Sequence, residues 1–155
     1  MRGAVVLIEN VIQAGDIAGK EQVSVISVAP DDSVHEAVKL LDQHGIGMVV
    51  VCKADGSLVG VFSERDVIRS LSRNGDGVTD RKVSDLMTAD VQTCGPGDDP
   101  YTVIQAMNKG RFRHMPVVED GKVIGVVSSK DIFAHMSEAL SAAECQSLWK
   151  QTLWV

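Results

Sequence analysis

The spacing of apolar side chains changes along residues 24–45 from a continuous run to a helical period. Residues 24–28 (Ser-Val-Ile-Ser-Val) are rich in β-branched side chains, which favours a strand. Ser33 followed by Glu36 has the sequence of a capping box, so a helix is predicted to begin here. Gly45 predicts where that helix ends. The apolar stripe between them consists of Val34, Ala37, Val38 and Leu41.

Two short apolar runs follow this helix, at residues 46–52 and 57–62. The Asp55-Gly56 pair between them favours a turn, so the two runs are predicted to form a hairpin. A second helix is predicted to begin at Ser63. The resulting order is strand, helix, strand, strand, helix.

The same order of elements occurs a second time. Asp99 is a suitable N-cap, and Pro100 occupies the first helical position, which proline favours. Residues 114–118 and 122–127 predict two strands that meet at Asp120-Gly121. The apolar stripe of this helix consists of Val103, Ile104 and Met107. We therefore expect a mixed α/β fold built from two β-α-β-β-α repeats.

Direct comparison of the two halves supports a duplication. Residues 58–71 match residues 123–136 in pattern, and Asp66 and Asp131 lie 65 positions apart. Two copies at this period indicate a two-lobed pair and not a solenoid, whose repeats are shorter and more numerous. Upstream, residues 47–56 correspond to 114–121, with a shorter turn in the second copy, and residues 28–41 correspond to 94–107.

The repeats divide the chain into four predicted segments. Residues 1–22 form an N-terminal extension, and residues 23–74 form the first repeat. Residues 75–136 contain a short linking helix at 83–88 followed by the second repeat. Residues 137–155 are predicted to form a C-terminal helix.

Composition limits the classes of function. The chain has 155 residues, of which 45% are hydrophobic and 23% charged, and is therefore large enough for a globular core. Its net charge of −6 argues against a binder of bulk nucleic acid, which needs a broad basic surface. Residues 110–115 interleave basic and aromatic side chains, but one such short stretch in an acidic chain does not provide that surface.

The cysteines and the N-terminus favour a cytoplasmic protein. The three cysteines are odd in number, widely spaced and outside any CxxC, as expected of buried thiols and not of a disulfide framework; they are Cys52, Cys94 and Cys145. The N-terminal apolar run is interrupted by Glu9 and Asn10, which is too early for a signal-peptide core, and no membrane span is predicted.

A motif of the form Gly-x-x-Ser-x-x-Asp carries the candidate chemistry. It places Ser63 and Asp66 in the first repeat and Ser128 and Asp131 in the second. A strand that runs into a helix N-terminus presents unpaired N–H groups to an anion, and a nearby carboxylate can accept hydrogen bonds from two ribose hydroxyls. The alternative is a plain capping box, and both interpretations stay open at this point.

The segments GVFSERDV and GVVSSKDI, with the strand RHMPVV before the second, resemble the signature of cystathionine β-synthase (CBS) domains. The resemblance extends over residues 22–136. It implies two repeats packed about a pseudo-two-fold axis with two clefts between their sheets. Members of this family bind AMP, ADP or ATP, and some bind NADH-like dinucleotides or S-adenosylmethionine. No cofactor for catalysis is implied.

The resemblance also implies a role for particular residues. Met115 and Pro116 lie in the strand beside the second site. The methionines are mostly core residues by their pattern, and Met48 and Met115 could also line a slot for the base. Carried over by position, Asp131 and Asp66 would hold ribose hydroxyls, and Ser128 and Ser63 would lie near ribose or phosphate. The residues near phosphate would be Lys130, Arg65, Arg113 and His114. Thr93 and Ser27 would lie near the base or ribose.

The first repeat departs from this pattern. It has Gly47-Met48-Val49 where we align His114-Met115-Pro116, and so lacks both the basic residue and the proline. The second repeat is therefore the favoured site. His35, His44 and His135 show no spacing typical of a metal site.

Three functions are consistent with these patterns. The first is a regulatory sensor that binds an adenine nucleotide and acts through its own homodimer or through an effector protein. The second is a scaffold for interaction whose pockets bind nothing. The third, an enzyme, is disfavoured because neither Ser63 nor Ser128 has a histidine base in its motif. Trp149 and Trp154 could mark a partner interface or pack on the chain's own core.

Overall fold

The computed structural model describes residues 7–9, 11, 25–139 and 146. These residues divide into two compact units. The repeat-1 unit contains residues 25–92 together with residues 120–123. The repeat-2 unit contains residues 93–119 and 124–139 together with residues 7–9 and 11.

The repeat-1 unit is built on a three-stranded sheet with the order β1-β2-β3. Strand β1 (Ser27–Val28) runs parallel to β2 (Met48–Cys52), and β2 runs antiparallel to β3 (Leu58–Ser63). Helix α1 (Val34–His44) connects β1 to β2, and helix α2 (Glu64–Asn74) follows β3. The predicted order of elements is confirmed, although β1 is shorter than the predicted run.

Local sequence signals fix the ends of α1. The Ser33 hydroxyl accepts a hydrogen bond from the N–H of Glu36 at 3.2 Å, as expected of an N-cap. Gly45 ends the helix in the left-handed region at φ 60°, a conformation that glycine adopts without steric cost. Both predicted ends are confirmed.

The core of the repeat-1 unit lies between the sheet and its helices. All five residues of β2 are buried, which suits a central strand covered on both faces. The buried cluster consists of Val28, Val34, Ala37, Leu41, Val49, Val51, Phe62, Val78 and Val83.

The linker between the repeats packs on this unit. It forms two short 3₁₀ helices, Val78–Asp80 and Val83–Asp85, where one short helix was predicted over 83–88. Val83 is fully buried, and its N–H donates to the carbonyl oxygen of Asp32 at 2.8 Å. Further along, Val61 of β3 and Thr88 exchange two backbone hydrogen bonds of 2.9 Å each. The linker is therefore held by backbone pairing as well as by apolar contact.

The repeat-2 unit repeats this arrangement. Helix α3 (Pro100–Gly110) precedes strands β4 (His114–Glu119) and β5 (Lys122–Ser128), and helix α4 (Ser129–Ala139) follows. The first two residues of β5 cluster with the repeat-1 unit. Asp99 caps α3 by accepting the N–H of Thr102 at 3.1 Å, as predicted. The place of β1 is taken by a single parallel bridge between Cys94 and Val117.

The turn between β4 and β5 also follows the prediction. Asp120 and Gly121 have φ values of 49° and 78°, as both central residues of a type I′ hairpin turn require. Residues 140–145 and 147–155 lie outside the described residues, so most of the predicted C-terminal helix, with Cys145, Trp149 and Trp154, is not described.

The structure corrects the alignment of the two repeats. The N–H of Glu64 donates to the carbonyl oxygen of Gly47 at 3.2 Å, and the N–H of Ser129 makes the equivalent bond to Arg113 at 2.9 Å. Gly47 therefore corresponds to Arg113 and not to His114. The segments bounded by these two bonds, 47–64 and 113–129, differ in length by one residue, whereas the predicted alignment of 47–56 with 114–121 required a difference of two.

Candidate functional site

The first candidate site lies where β3 runs into α2. Ser63 is the N-cap of α2, and its N–H and hydroxyl both donate to Asp66 Oδ2, at 2.9 and 2.7 Å. The side chain of Asp66 and the backbone of Ser63 thus form a capping box. Both hydrogen bonds from Ser63 use the same carboxylate oxygen, and Oδ1 takes no part in them.

The second candidate site has the same geometry. The N–H and hydroxyl of Ser128 donate to Asp131 Oδ2 at 3.1 and 2.5 Å, and the N–H of Asp131 donates to the Ser128 hydroxyl at 3.1 Å. The capping interpretation is therefore correct in both repeats. It does not exclude a ligand, because Asp131 Oδ1 again takes no part in the bonds to Ser128.

The two carboxylates differ in exposure. Asp66 is 9% exposed and counts among the buried residues, whereas Asp131 is exposed. The basic neighbours Arg65 and Lys130 are exposed in both copies. A ligand from solvent thus reaches the carboxylate more easily in the second repeat.

The start of β4 lies beside the start of α4. The hydrogen bond from the Ser129 N–H to the Arg113 carbonyl brings the Arg113 backbone next to the motif that contains Lys130. Arg113 is exposed and His114 is half-buried. Two charged residues and a histidine therefore come from elements that meet at the N-terminus of α4, where the positive end of the helix dipole favours an anion.

Met115 and Pro116 are buried, and Met115 belongs to the core of the repeat-2 unit with 2% exposure. Both therefore support β4 from inside the unit. Thr93 is exposed and precedes Cys94, whose N–H donates to the Pro116 carbonyl at 3.1 Å. The backbone bond of Cys94 thus places Thr93 next to β4.

Ser27 occupies the equivalent place in the first repeat. It is exposed, lies in β1 and pairs with Val50 of β2. With the corrected register, Gly47 and Met48 stand where the second repeat has Arg113 and His114. The first repeat therefore still lacks the basic pair, as the sequence indicated.

A cavity of about 420 Å³ lies within the repeat-1 unit, at the hairpin end of its sheet. Ser27, one of the predicted site residues, lines this cavity. Ser63 lies at the opposite end of β2, where it pairs with Met48. No sequence pattern indicates this cavity, because its walls come from separate elements. They are Val25, Ser27, Val28, Ala29, Cys52, Lys53, Ala54, Gly56 and Val123.

The described thiols are poor nucleophiles. Burial, and to a lesser extent the charge of Asp55, raises the pKa of the Cys52 thiol. Burial, with a smaller effect from Asp98, raises the pKa of Cys94 to about 12. Both thiols are therefore protonated at neutral pH, and the protonated form does not attack or bind metals well.

Among the residues that the structure describes, no group of three His, Cys, Asp or Glu side chains is arranged to hold a metal ion. No helix in the same part of the chain is long and apolar enough to cross a membrane.

Comparison with known families places this geometry in context. The model of the CBS domain matches residues 14–73 and 83–138. A mitochondrial CBS domain-containing protein of Arabidopsis thaliana is 37% identical over 106 residues, which are 66% of this chain and 52% of that protein. An inosine-5′-monophosphate dehydrogenase of Korarchaeum cryptofilum is 37% identical over 122 residues, 77% of this chain and 24% of the enzyme. The chain thus spans about half the length of the first relative and a quarter of the second.

Solved structures show the same fold. A CBS-domain protein of Agrobacterium tumefaciens has a TM-score of 0.75 at 34% identity, with 84% of this chain and 99% of that chain covered. A CBS domain pair in complex with 5′-methylthioadenosine and S-adenosyl-L-methionine has a TM-score of 0.71 at 25% identity, covering 84% and 99%. A Pyrobaculum aerophilum CBS domain protein complexed with AMP shares the fold at a TM-score of 0.69 and 21% identity, covering 86% and 100%.

Proposed function

The chain belongs to the CBS domain family, and on that premise we propose that it is a regulatory module that binds an adenine nucleotide or a related adenosine compound in its second repeat. Related CBS proteins have been crystallised with S-adenosyl-L-methionine and 5′-methylthioadenosine, and one with AMP. These ligands share an adenosine group. The proposal therefore concerns adenosine compounds as a class, with AMP, ADP, ATP, NADH and S-adenosylmethionine as candidates.

The observation that carries the proposal is the exposed carboxylate of Asp131. Its Oδ2 is held by Ser128, which fixes the orientation of the group at the start of α4. Its Oδ1 lies outside these bonds, on an exposed side chain. An oriented carboxylate with an accessible oxygen is well suited to accept hydrogen bonds from the two hydroxyls of a ribose.

The basic residues around Asp131 suit the phosphate of a nucleotide. Lys130 is exposed on the first turn of α4, and Arg113 and His114 begin the neighbouring strand. Cations and the positive end of a helix dipole stabilise a phosphate. In this arrangement Thr93 contacts the base or ribose, and Met115 and Pro116 keep β4 in position.

The first repeat is the weaker site in this proposal. Asp66 is buried, and Gly47 and Met48 provide no cation. Arg65 remains as a phosphate contact, and Ser63 and Ser27 remain as polar contacts. We expect any binding here to be weaker than in the second repeat.

The regulatory output in this proposal is a homodimer or an effector protein, and the module itself is not an enzyme. The outer face of α2 favours self-association, since Ile68 is 67% exposed and Leu71 is 50% exposed. Two copies of α2 packed antiparallel would bring these exposed apolar side chains together in a symmetric interface.

A second candidate function is a scaffold that binds no ligand. The observation in its favour is that both carboxylates already serve as helix caps, Asp66 to Ser63 and Asp131 to Ser128. A capping role alone would preserve the motif in both copies without any ligand.

Thermal unfolding in the presence of AMP, ADP, ATP, NADH, NAD or S-adenosylmethionine separates the two functions. A ligand at about 100 times its Kd adds about 2.7 kcal/mol to the free energy of unfolding, which raises the Tm by roughly 5–10 °C. We expect such a shift for at least one compound and its loss in Asp131→Ala. Asp99→Ala is the matched control, because it also removes an exposed capping carboxylate from the repeat-2 unit. No shift from any compound would favour the scaffold.

A further inference from the structure

A short segment near the N-terminus forms part of the repeat-2 unit. Ile8, Glu9 and Val11 have helical backbone, and the N–H of Val11 donates to the carbonyl oxygen of Leu7 at 3.4 Å. We refer to residues 7–9 and 11 as the N-terminal turn. The turn precedes the first repeat in sequence, yet it clusters with the second. It also lies outside both ranges that match the CBS domain, 14–73 and 83–138.

The N-terminal turn contributes side chains to the core of the repeat-2 unit. Ile8 is fully buried and Val11 is 3% exposed. They belong to one cluster of buried residues, which also contains Cys94, Val103, Ile104, Met107, Met115, Val117, Val127 and Ile132. Residues from the turn thus pack in the same cluster as Met115, which supports the proposed ligand site.

Backbone hydrogen bonds fix the turn to a particular loop. The N–H of Ile8 donates to the carbonyl oxygen of Asp98 at 3.0 Å, and the N–H of Glu9 donates to that of Pro96 at 2.9 Å. The first N–H groups of a helical turn have no partner within the turn, so the loop supplies one. The loop is itself held by Asp98, whose carboxylate accepts the N–H of Gly95 at 2.8 Å.

This loop continues directly into the proposed ligand site. Gly95 follows Cys94, whose N–H and carbonyl oxygen both pair with β4, at 3.1 Å to Pro116 and 2.8 Å to Val118. Thr93 precedes Cys94. A ligand that contacts Thr93 and the start of β4 therefore orders one end of the segment 93–95, while the N-terminal turn orders the loop at its other end.

We infer that the N-terminal turn is a strap whose docking on the repeat-2 unit is coupled to ligand binding there. The inference rests on the proposed function, because it assigns a regulatory role to the same site. A ligand that stabilises the segment 93–95 favours the docked turn, and by thermodynamic linkage the docked turn strengthens ligand binding by the same factor. The state of the site is thereby transmitted to the N-terminus of the chain.

The test is the affinity of the full chain for AMP, measured by calorimetry in wild type and two variants. Ile8→Ala removes the buried side chain of the turn, and we expect the Kd for AMP to rise by about 5-fold or more. Val83→Ala is the matched control, because Val83 is equally buried but belongs to the repeat-1 unit. Its Kd is expected to change less than about 2-fold, since a core truncation elsewhere lowers stability without coupling to this site.

Hydrogen exchange in the wild-type chain gives a second measurement that does not depend on the folding of a variant. With AMP bound, exchange of the Ile8 and Glu9 amides is expected to slow more than that of Val61 and Thr88, which pair in the repeat-1 unit. If AMP binds but Ile8→Ala keeps the wild-type Kd and the Ile8 and Glu9 amides gain no extra protection, the coupling is wrong and the proposed function stands. If AMP does not bind the wild type at all, the proposal for AMP fails, and the coupling fails with it.

Discussion

The hydroxyl of Ser128 donates to Asp131 Oδ2 at 2.5 Å, and this bond orients an exposed carboxylate at the first turn of α4. The same pair in the first repeat, Ser63 and Asp66, is bonded in the same way but has a buried carboxylate. One motif thus produces two different environments. In the first repeat the carboxylate mainly stabilises the fold, whereas in the second it is also accessible to a ligand.

This difference predicts unequal losses of stability. Asp66→Ala leaves a half-buried Ser63 without its partner and should lower the free energy of unfolding by about 1–3 kcal/mol. Asp131→Ala removes an exposed cap and should cost about 0.5–1 kcal/mol. Urea unfolding of both variants without ligand measures the two losses. Equal losses would contradict the assignment of Asp66 to a mainly structural role.

Gly60 is predicted to tolerate no side chain. A Cβ at this position would lie 2.7 Å from the Met87 sulfur and 2.8 Å from the Thr88 carbonyl oxygen. The sulfur can move, but the backbone oxygen is held by its hydrogen bond to Val61. Gly60→Ala should therefore cost about 1–3 kcal/mol through overpacking.

The control is Gly97→Ala, where an added Cβ would meet no atom within 4 Å. Urea unfolding should show little change for this variant. The Met87→Ala substitution should not restore the stability of Gly60→Ala, because the contact with Thr88 remains. Full rescue would show that the sulfur alone causes the strain.

The buried thiol of Cys94 predicts a loss of stability at alkaline pH. Its pKa is raised to about 12 from an ordinary thiol value of 9.0, so between these pH values the native state keeps a proton that the unfolded state has lost. The native state then binds more protons, and the free energy of unfolding falls as pH rises, by up to about 1.4 kcal/mol per pH unit. Burial of Cys52 acts in the same direction.

Urea unfolding of wild type and Cys94→Ala at pH 8, 9 and 10 measures this effect. The variant should start less stable, because a buried side chain is shortened, but its stability should fall less steeply with pH. Parallel slopes for the two proteins would exclude Cys94 as the source.

The exposed face of α2 predicts a variant that weakens self-association. Ile68→Glu replaces an exposed apolar side chain with a charge at the centre of this face. We expect the dissociation constant of the homodimer to rise by at least about tenfold, because a buried unpaired charge is costly. Sedimentation velocity over a range of concentrations measures the change.

Ile124→Glu is the matched control for that variant. Ile124 is also exposed, at 40%, but belongs to β5. Its substitution should leave the association unchanged. A wild-type chain that stays monomeric at high concentration would contradict the homodimer, and an effector protein would then be the remaining route for regulation.

Much of the fold could be predicted because its signals are local. Ser33, Gly45 and Asp99 fix helix ends through bonds to residues three or four positions away. Asp120-Gly121 fixes a turn through its own backbone angles. Such interactions depend on neighbours in sequence, so a single chain reveals them. The repetition of the Ser-x-x-Asp motif, and the family it indicates, were accessible for the same reason.

Local signals of this kind did not reveal which strand residues of the two repeats are equivalent. Whether Gly47 corresponds to Arg113 or to His114 is decided by the backbone bonds that Gly47 makes to Glu64 and Arg113 makes to Ser129, and these bonds depend on how the two strands of each hairpin pair. A shift by one residue changes which residues of the two repeats are equivalent, so the sequence pattern alone left the register open.

The sequence by itself therefore determined the two repeats, their helix caps and turns, and the Ser–Asp pairs. Only the tertiary structure decided that Asp66 is buried and Asp131 exposed, because burial depends on which distant segments cover each site. The place of Ile8 in the core of the second repeat has the same origin, since its partners Pro96 and Asp98 lie far along the chain. Contacts of this kind form only when distant parts of the chain pack together. Because apolar burial is non-directional, no local sequence pattern predicts which distant residues will meet.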